Sequence, residues 1–183
     1  MKKVVLLGDS IRLIGYGLKV PEILGSDFTV WQPEDNCRYS VHTLRMIFDM
    51  KDEIAGADVI HWNNGLWDLV DDFGDGPFSP IDVYVTTMKR IAKCLLTLGK
   101  KVIFSTITPV LDAYGRITIE DTKRYNAAVV PELEKMGIII NDLFSFVYPN
   151  REAYITSEDN IHLSEEGINA VAEQVANIIR KNA

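Results

Sequence analysis

A serine near one end of the chain and a histidine near the other are the residues best placed to do chemistry together. Ser10 lies in Leu7-Gly8-Asp9-Ser10-Ile11, directly after an apolar run at residues 4–7 and before a helical pattern. At such a junction a helix N-terminus leaves backbone N–H groups unpaired, and these favour negative charge. A serine there can be a nucleophile whose own N–H holds the oxyanion it creates. The same tripeptide also reads as a plain turn with an N-cap serine. Among the three histidines, His61 falls inside an apolar run and His42 at a helix start, while His162 lies in a loop before the last helix. Asp159, three residues earlier, can reach the imidazole Nδ1 within a turn. That would fix the tautomer and leave Nε2 to take a proton from Ser10. Capping of the following helix is the alternative role for this loop.

Something must bring positions 10 and 162 together. Apolar runs at 4–7, 28–31, 59–62, 102–106 and 138–140 are short, β-rich and nearly continuous. Strands of a parallel sheet buried on both faces read this way. Helical patterns alternate with them. One runs from Ser40 to about Ile54, with Leu44, Ile47 and Phe48 on its apolar face. A second runs from Ile81 to Leu98, with Gly99 as its stop signal. A third follows a capping box at Thr118 and Asp121 and contains Pro131, which should kink or split it. The last follows Ser164 and carries Ile168, Val171, Val175 and Ile179 on one stripe. Five strands alternating with helices predict a three-layer α/β/α sandwich around a five-stranded parallel sheet. In that architecture sites form in the loops beyond the carboxyl ends of the strands. The two candidate loops thus fall at the same edge.

On these residues the chain resembles the GDSL or SGNH family of esterases and lipases. Gly8-Asp9-Ser10 matches the family's first block. Asp159-Asn160-Ile161-His162, followed by Leu163 and Gly167, matches its last. The resemblance spans nearly the whole chain and implies one flavodoxin-like SGNH hydrolase domain over residues 1–183. It implies Ser10 as nucleophile, His162 as base and Asp159 as the acid that orients it. It also implies hydrolysis of an acyl ester through an acyl-enzyme, without metal or cofactor. The middle blocks depart from the family pattern. Cys37 stands where a glycine N–H usually serves the oxyanion, and Trp67 stands at the usual asparagine of Gly65-Leu66-Trp67-Asp68. The oxyanion donors expected here are therefore the N–H groups of Ser10 and Cys37, with the side chain of Asn63 first and Asn64 second. Loss of one such donor would cost roughly 3–4 kcal/mol of transition-state stabilisation.

Composition narrows the partners. The chain has 183 residues, 47% hydrophobic and 25% charged, with a formal net charge of −7. That suits one soluble domain and argues against a nucleic-acid backbone or an anionic membrane as partner. The opening apolar run is too short for a signal peptide, so the chain as written reads as cytoplasmic. Cys37, in a polar loop, and Cys94, in a helical pattern, are expected to be reduced. Trp62, Trp67 and Tyr16 are candidates for substrate contact, or else ordinary core and rim residues. Asp68, Asp71, Asp72 and Asp75 read as a solvated loop that, with Gly74, Gly76 and Pro77, forms a flap over the site, with no EF-hand spacing. The expected partner is a small-molecule ester, with an acetylated sugar as first choice and a thioester or lysophospholipid as alternatives. A non-catalytic carbohydrate- or partner-binding protein of the same fold is the rival reading. A nucleotide-binding protein is disfavoured, because no Gly-x-Gly-x-x-Gly follows a strand and no Walker A sequence is present.

Overall fold

The computed structural model describes residues 1–183. In chain order the elements are β1 (Lys2–Gly8), α1 (Ser10–Leu13), α2 (Val20–Leu24), β2 (Phe28–Trp31), α3 (Ser40–Asp49), α4 (Lys51–Ile54), β3 (Ala57–Asn63), α5 (Leu66–Leu69), α6 (Ile81–Leu98), β4 (Gly99–Ser105), α7 (Ile119–Glu134), β5 (Ile139–Asn141), α8 (Leu143–Val147), α9 (Arg151–Tyr154) and α10 (Glu165–Asn182). All four strand pairings are parallel, and the order across the sheet is β2-β1-β3-β4-β5. The chain moves one way from β1 to β2 and the other way from β3 to β5. Right-handed crossovers then place α3, α6 and α7 on one face and α2 and α10 on the other. The reversal leaves a crevice between the carboxyl ends of β1 and β3, where such sheets bind ligands.

Burial explains the continuous apolar runs. Val4, Val5, Leu6 and Leu7 of β1 and Val59, Ile60 and Trp62 of β3 are all buried. The edge strand β2 is only partly covered. The stripe expected on the last helix is largely buried at Val171, Val175 and Ile179, with Ile168 packed partly against the core.

Three local expectations are refined. The helix from Ser40 breaks at Met50, whose ψ of 23° leaves the helical region, and Phe48 is exposed rather than on the core face. Helix α7 does not split at Pro131. The proline lies in its last turn, and the carbonyl it deprives of a donor belongs to exposed Ala127, where water can serve it. Gly99 is extended rather than left-handed and opens β4 directly. Its lack of a side chain serves packing, since a Cβ there would lie 2.6 Å from Ile60 Cδ1.

Candidate active site

The turn after β1 is held from below. Asp9 caps α1, its Oδ1 accepting from Ile11 N–H at 2.9 Å and from Asn63 Nδ2 at 2.7 Å. Burial pushes the Asp9 carboxyl up to about 6, against the pull of those hydrogen bonds and of nearby Arg12. Gly8 permits the close approach of β3, because a Cβ there would lie 2.0 Å from Asn63 Oδ1. Ser10 is thereby lifted to the top of the sheet, and its N–H makes no hydrogen bond within the protein.

The second half comes from the loop between α9 and α10. Asp159 Oδ1 accepts from the N–H groups of Ile161 and His162, at 3.0 and 2.9 Å. Asn160 takes a left-handed conformation, φ 66°, that tightens this turn. The Asn160 carbonyl then accepts from Leu111 N–H, and Thr156 N–H donates to the His162 carbonyl, so the loop is fixed at both ends. Asp159 Oδ2 lies 2.6 Å from His162 Nδ1, and His162 Nε2 lies 2.8 Å from Ser10 Oγ. Partial burial raises the Asp159 carboxyl, but the hydrogen bonds from His162 and Ile161 outweigh it and hold the group below its ordinary value. With Nδ1–H donating to Asp159, Nε2 is left to accept from the Ser10 hydroxyl.

The remaining candidates divide sharply. Cys37 is in the core rather than in a polar loop. Its N–H donates to the Gly8 carbonyl at 3.1 Å, its thiol accepts from Gly8 N–H at 3.3 Å, and burial raises its pKa. Asn63 Nδ2 is committed to Asp9, and its Oδ1 accepts from the Tyr16 hydroxyl at 2.8 Å. Asn64 Nδ2 donates to the Arg38 carbonyl and to Thr43 Oγ1, at 2.9 and 2.8 Å. Cys37 N–H and both Asn64 amide hydrogens are thus spent inside the protein, which corrects these two as oxyanion donors, while the one hydrogen bond that the Asn63 amide donates goes to Asp9. Trp62 and Tyr16 are fully buried, Trp62 against Phe104, so neither can meet a substrate. Trp67 does line the cleft beside Ser10 and is 43% exposed. Asp68 is also corrected. It is buried rather than solvated, and it accepts from the N–H and hydroxyl of Ser40 at 2.9 and 2.7 Å.

The cleft above Ser10 and His162 has a volume of about 1050 Å³ and a mainly apolar lining. Asp71 shapes one rim by accepting from the N–H groups of Gly74 and Gly76. From that rim Asp72 pairs with Arg116 on the opposite loop, bridging the two. Sequence reasoning missed Asn36, Tyr114 and Arg116, which line this space. Only the placement of Asn36 in the loop after β2 pointed towards the site.

A parallel sheet ordered 2-1-3-4-5, with a serine after its first strand and an Asp-x-x-His before its last helix, is the arrangement of a flavodoxin-like α/β/α sandwich of the kind seen in SGNH hydrolases. The comparisons agree. The chain is 31% identical over 124 residues to "GDSL esterase/lipase WDL1" of Oryza sativa subsp. japonica, a match covering 59% of this chain and 47% of the relative. It spans about half the length of the curated relatives it matches. Among solved structures it is similar to Axe2, an acetylxylan esterase from Geobacillus stearothermophilus, with a TM-score of 0.79 at 15% identity over 97% of this chain and 94% of that one. The lipase/acylhydrolase from Enterococcus faecalis has a TM-score of 0.77 at 18% identity, over 99% and 96% of the two chains. No family model matches the chain. In sequence the chain is a relative of the GDSL esterases and lipases, and it has the SGNH hydrolase fold. No helix is long and apolar enough to cross a membrane.

Proposed function

We propose that this protein hydrolyses carboxylic esters through Ser10, His162 and Asp159. The observation that carries the reading is the unbroken Ser10–His162–Asp159 contact chain, with links of 2.8 and 2.6 Å, at the floor of an open cleft. Ser10 Oγ attacks the ester carbonyl carbon while its proton passes to His162 Nε2. Asp159 holds the ring and stabilises the imidazolium. The Ser10 N–H donates to the developing oxyanion. Collapse breaks the ester C–O bond, and the alcohol leaves with the proton from His162. Water, deprotonated by His162, then attacks the acyl-enzyme and releases the acid and Ser10.

A short acyl group is the preferred substrate, with an acetylated sugar first. The acetylxylan esterase and carbohydrate acetylesterase among the similar folds support that choice. The apolar cleft, with Leu13 and Ile14 beside Ser10, favours a second reading in which a longer acyl or aryl group is accepted. Turnover of p-nitrophenyl esters of increasing chain length, wild type beside Ser10→Ala, tests both. Rates highest on acetate and abolished in the variant support the first reading. Rates rising with chain length support the second. No turnover by a folded wild-type protein would sink the hydrolase reading and favour a binding protein.

A further inference from the structure

The cleft contains a nucleophile, a base and one free backbone donor, and of the donors expected to complete the oxyanion hole Cys37 N–H and Asn64 Nδ2 are spent elsewhere while Asn63 Nδ2 is bonded to Asp9. Asn36 is the side chain placed to replace them. It lines the cleft with Ser10, and its neighbours on both sides are joined to the turn that carries Ser10. Cys37 N–H donates to the Gly8 carbonyl at 3.1 Å. Arg12, buried one helical turn from Gly8, donates to the same Gly8 carbonyl at 3.3 Å and to the Asp35 carbonyl at 2.8 Å, with a further bond to the Pro33 carbonyl. Residues 35 and 37 are thus clamped within one hydrogen bond of the Ser10 turn, and Asn36 lies between them.

The orientation of its carboxamide is also set. Asn36 Oδ1 accepts from Arg38 N–H at 2.7 Å, an Asx turn for which Arg38 adopts a left-handed φ of 52°. With the oxygen held, the Nδ2 group is turned the other way, and it has no acceptor within the protein. We infer that Asn36 Nδ2 is an oxyanion donor of this enzyme, acting with the Ser10 N–H in place of the middle-block groups. The inference rests on the ester-hydrolase reading. It assigns a neutral amide, able to donate without adding charge to the resting site, to the point where negative charge develops.

Two variants separate this role from a purely structural one. Asn36→Ala removes both the donor and the turn. Asn36→Asp keeps an oxygen for Arg38 N–H and so keeps the turn, but it removes the donor and places a carboxylate near the oxyanion. Both should lower kcat on p-nitrophenyl acetate by about 100- to 1000-fold, with KM changed less than about threefold. The Asp variant should keep the melting temperature of the wild type. Wild-type kcat in Asn36→Asp would show that only the turn matters and would overturn the inference alone. Reaction of Ser10 with an alkyl fluorophosphonate, read by mass, separates the two layers. A wild-type protein that shows neither turnover nor labelling overturns the hydrolase reading and this inference with it.

Discussion

The site has two sides that treat polar groups in opposite ways. On one side, Ser10, His162 and Asp159 face the cleft, with the histidine and aspartate side chains 29% and 43% exposed. On the other, beneath β1 and β3, polar groups satisfy one another out of reach of solvent. Asp9, Asn63 and Tyr16 form one chain of hydrogen bonds. His61 continues it, its Nδ1 3.4 Å from the Tyr16 hydroxyl and its Nε2 2.7 Å from Ser105 Oγ and 3.3 Å from Asn141 Nδ2. Residue type does not separate the two sets, since each contains an aspartate, a histidine and a hydroxyl. Exposure does. The first set opens onto the cleft, where its groups can meet a ligand, and the second is buried and supports the fold.

The contrast breaks most dramatically on the exposed side. His162→Ala should reduce ester turnover almost as much as Ser10→Ala, on the order of 10⁴-fold or more, because triad members act as a unit. Its urea midpoint should barely move, since the ring is partly exposed. Retention of most activity would remove His162 from the mechanism. On the buried side the effect should fall on stability. Asn63→Ala strips Asp9 of a donor and the Tyr16 hydroxyl of its acceptor. Leaving buried groups unpaired should cost about 2–4 kcal/mol in urea unfolding, while kcat per folded molecule stays within about tenfold. A large rate loss at unchanged stability would mean that Asn63 reaches the substrate after all.

The smallest effect sharpens the comparison through pH. Burial holds His61 down to about 3, so below its ordinary value of 6.5 the unfolded chain takes up a proton that the folded chain refuses. That contribution to stability is present above pH 6.5 and is lost as pH falls towards 3. Asp9, raised from 3.8 to about 6, has the opposite sign. Its contribution is present below pH 3.8 and is lost as pH rises through 6, and buried Asp68 is shifted in the same direction. The opposed slopes partly cancel between about pH 4 and 6. His61→Gln removes one of them, so its melting temperature should decline from pH 4 to 6 relative to the wild-type profile. A profile parallel to wild type would show that His61 is not held neutral.

Much of the fold was legible because parallel strands buried on both faces leave unbroken apolar runs, and all five strands lie where those runs stand. The joining of Ser10 with His162 was legible for the same reason: strand-end loops share one edge. The donor side was not. Asparagine after a strand looks the same in sequence whether its amide faces the cleft or crosses beneath a glycine, as Asn63 does beneath Gly8. Trp62 likewise carries no local sign that its strand position turns inward onto Phe104. The loop from 106 to 118 has no periodicity, so nothing marked Tyr114 and Arg116 as rim residues.

The contact between Ser10 and His162 closes across 152 positions of chain. Such a contact is among the costliest in loop entropy and forms only once the intervening sheet is assembled. Assembly of the Ser10–His162 pair is therefore a late event in the life of the polypeptide. During refolding, secondary structure should return before this contact does, and a chain still emerging from the ribosome carries Ser10 without its histidine until the loop before the last helix docks.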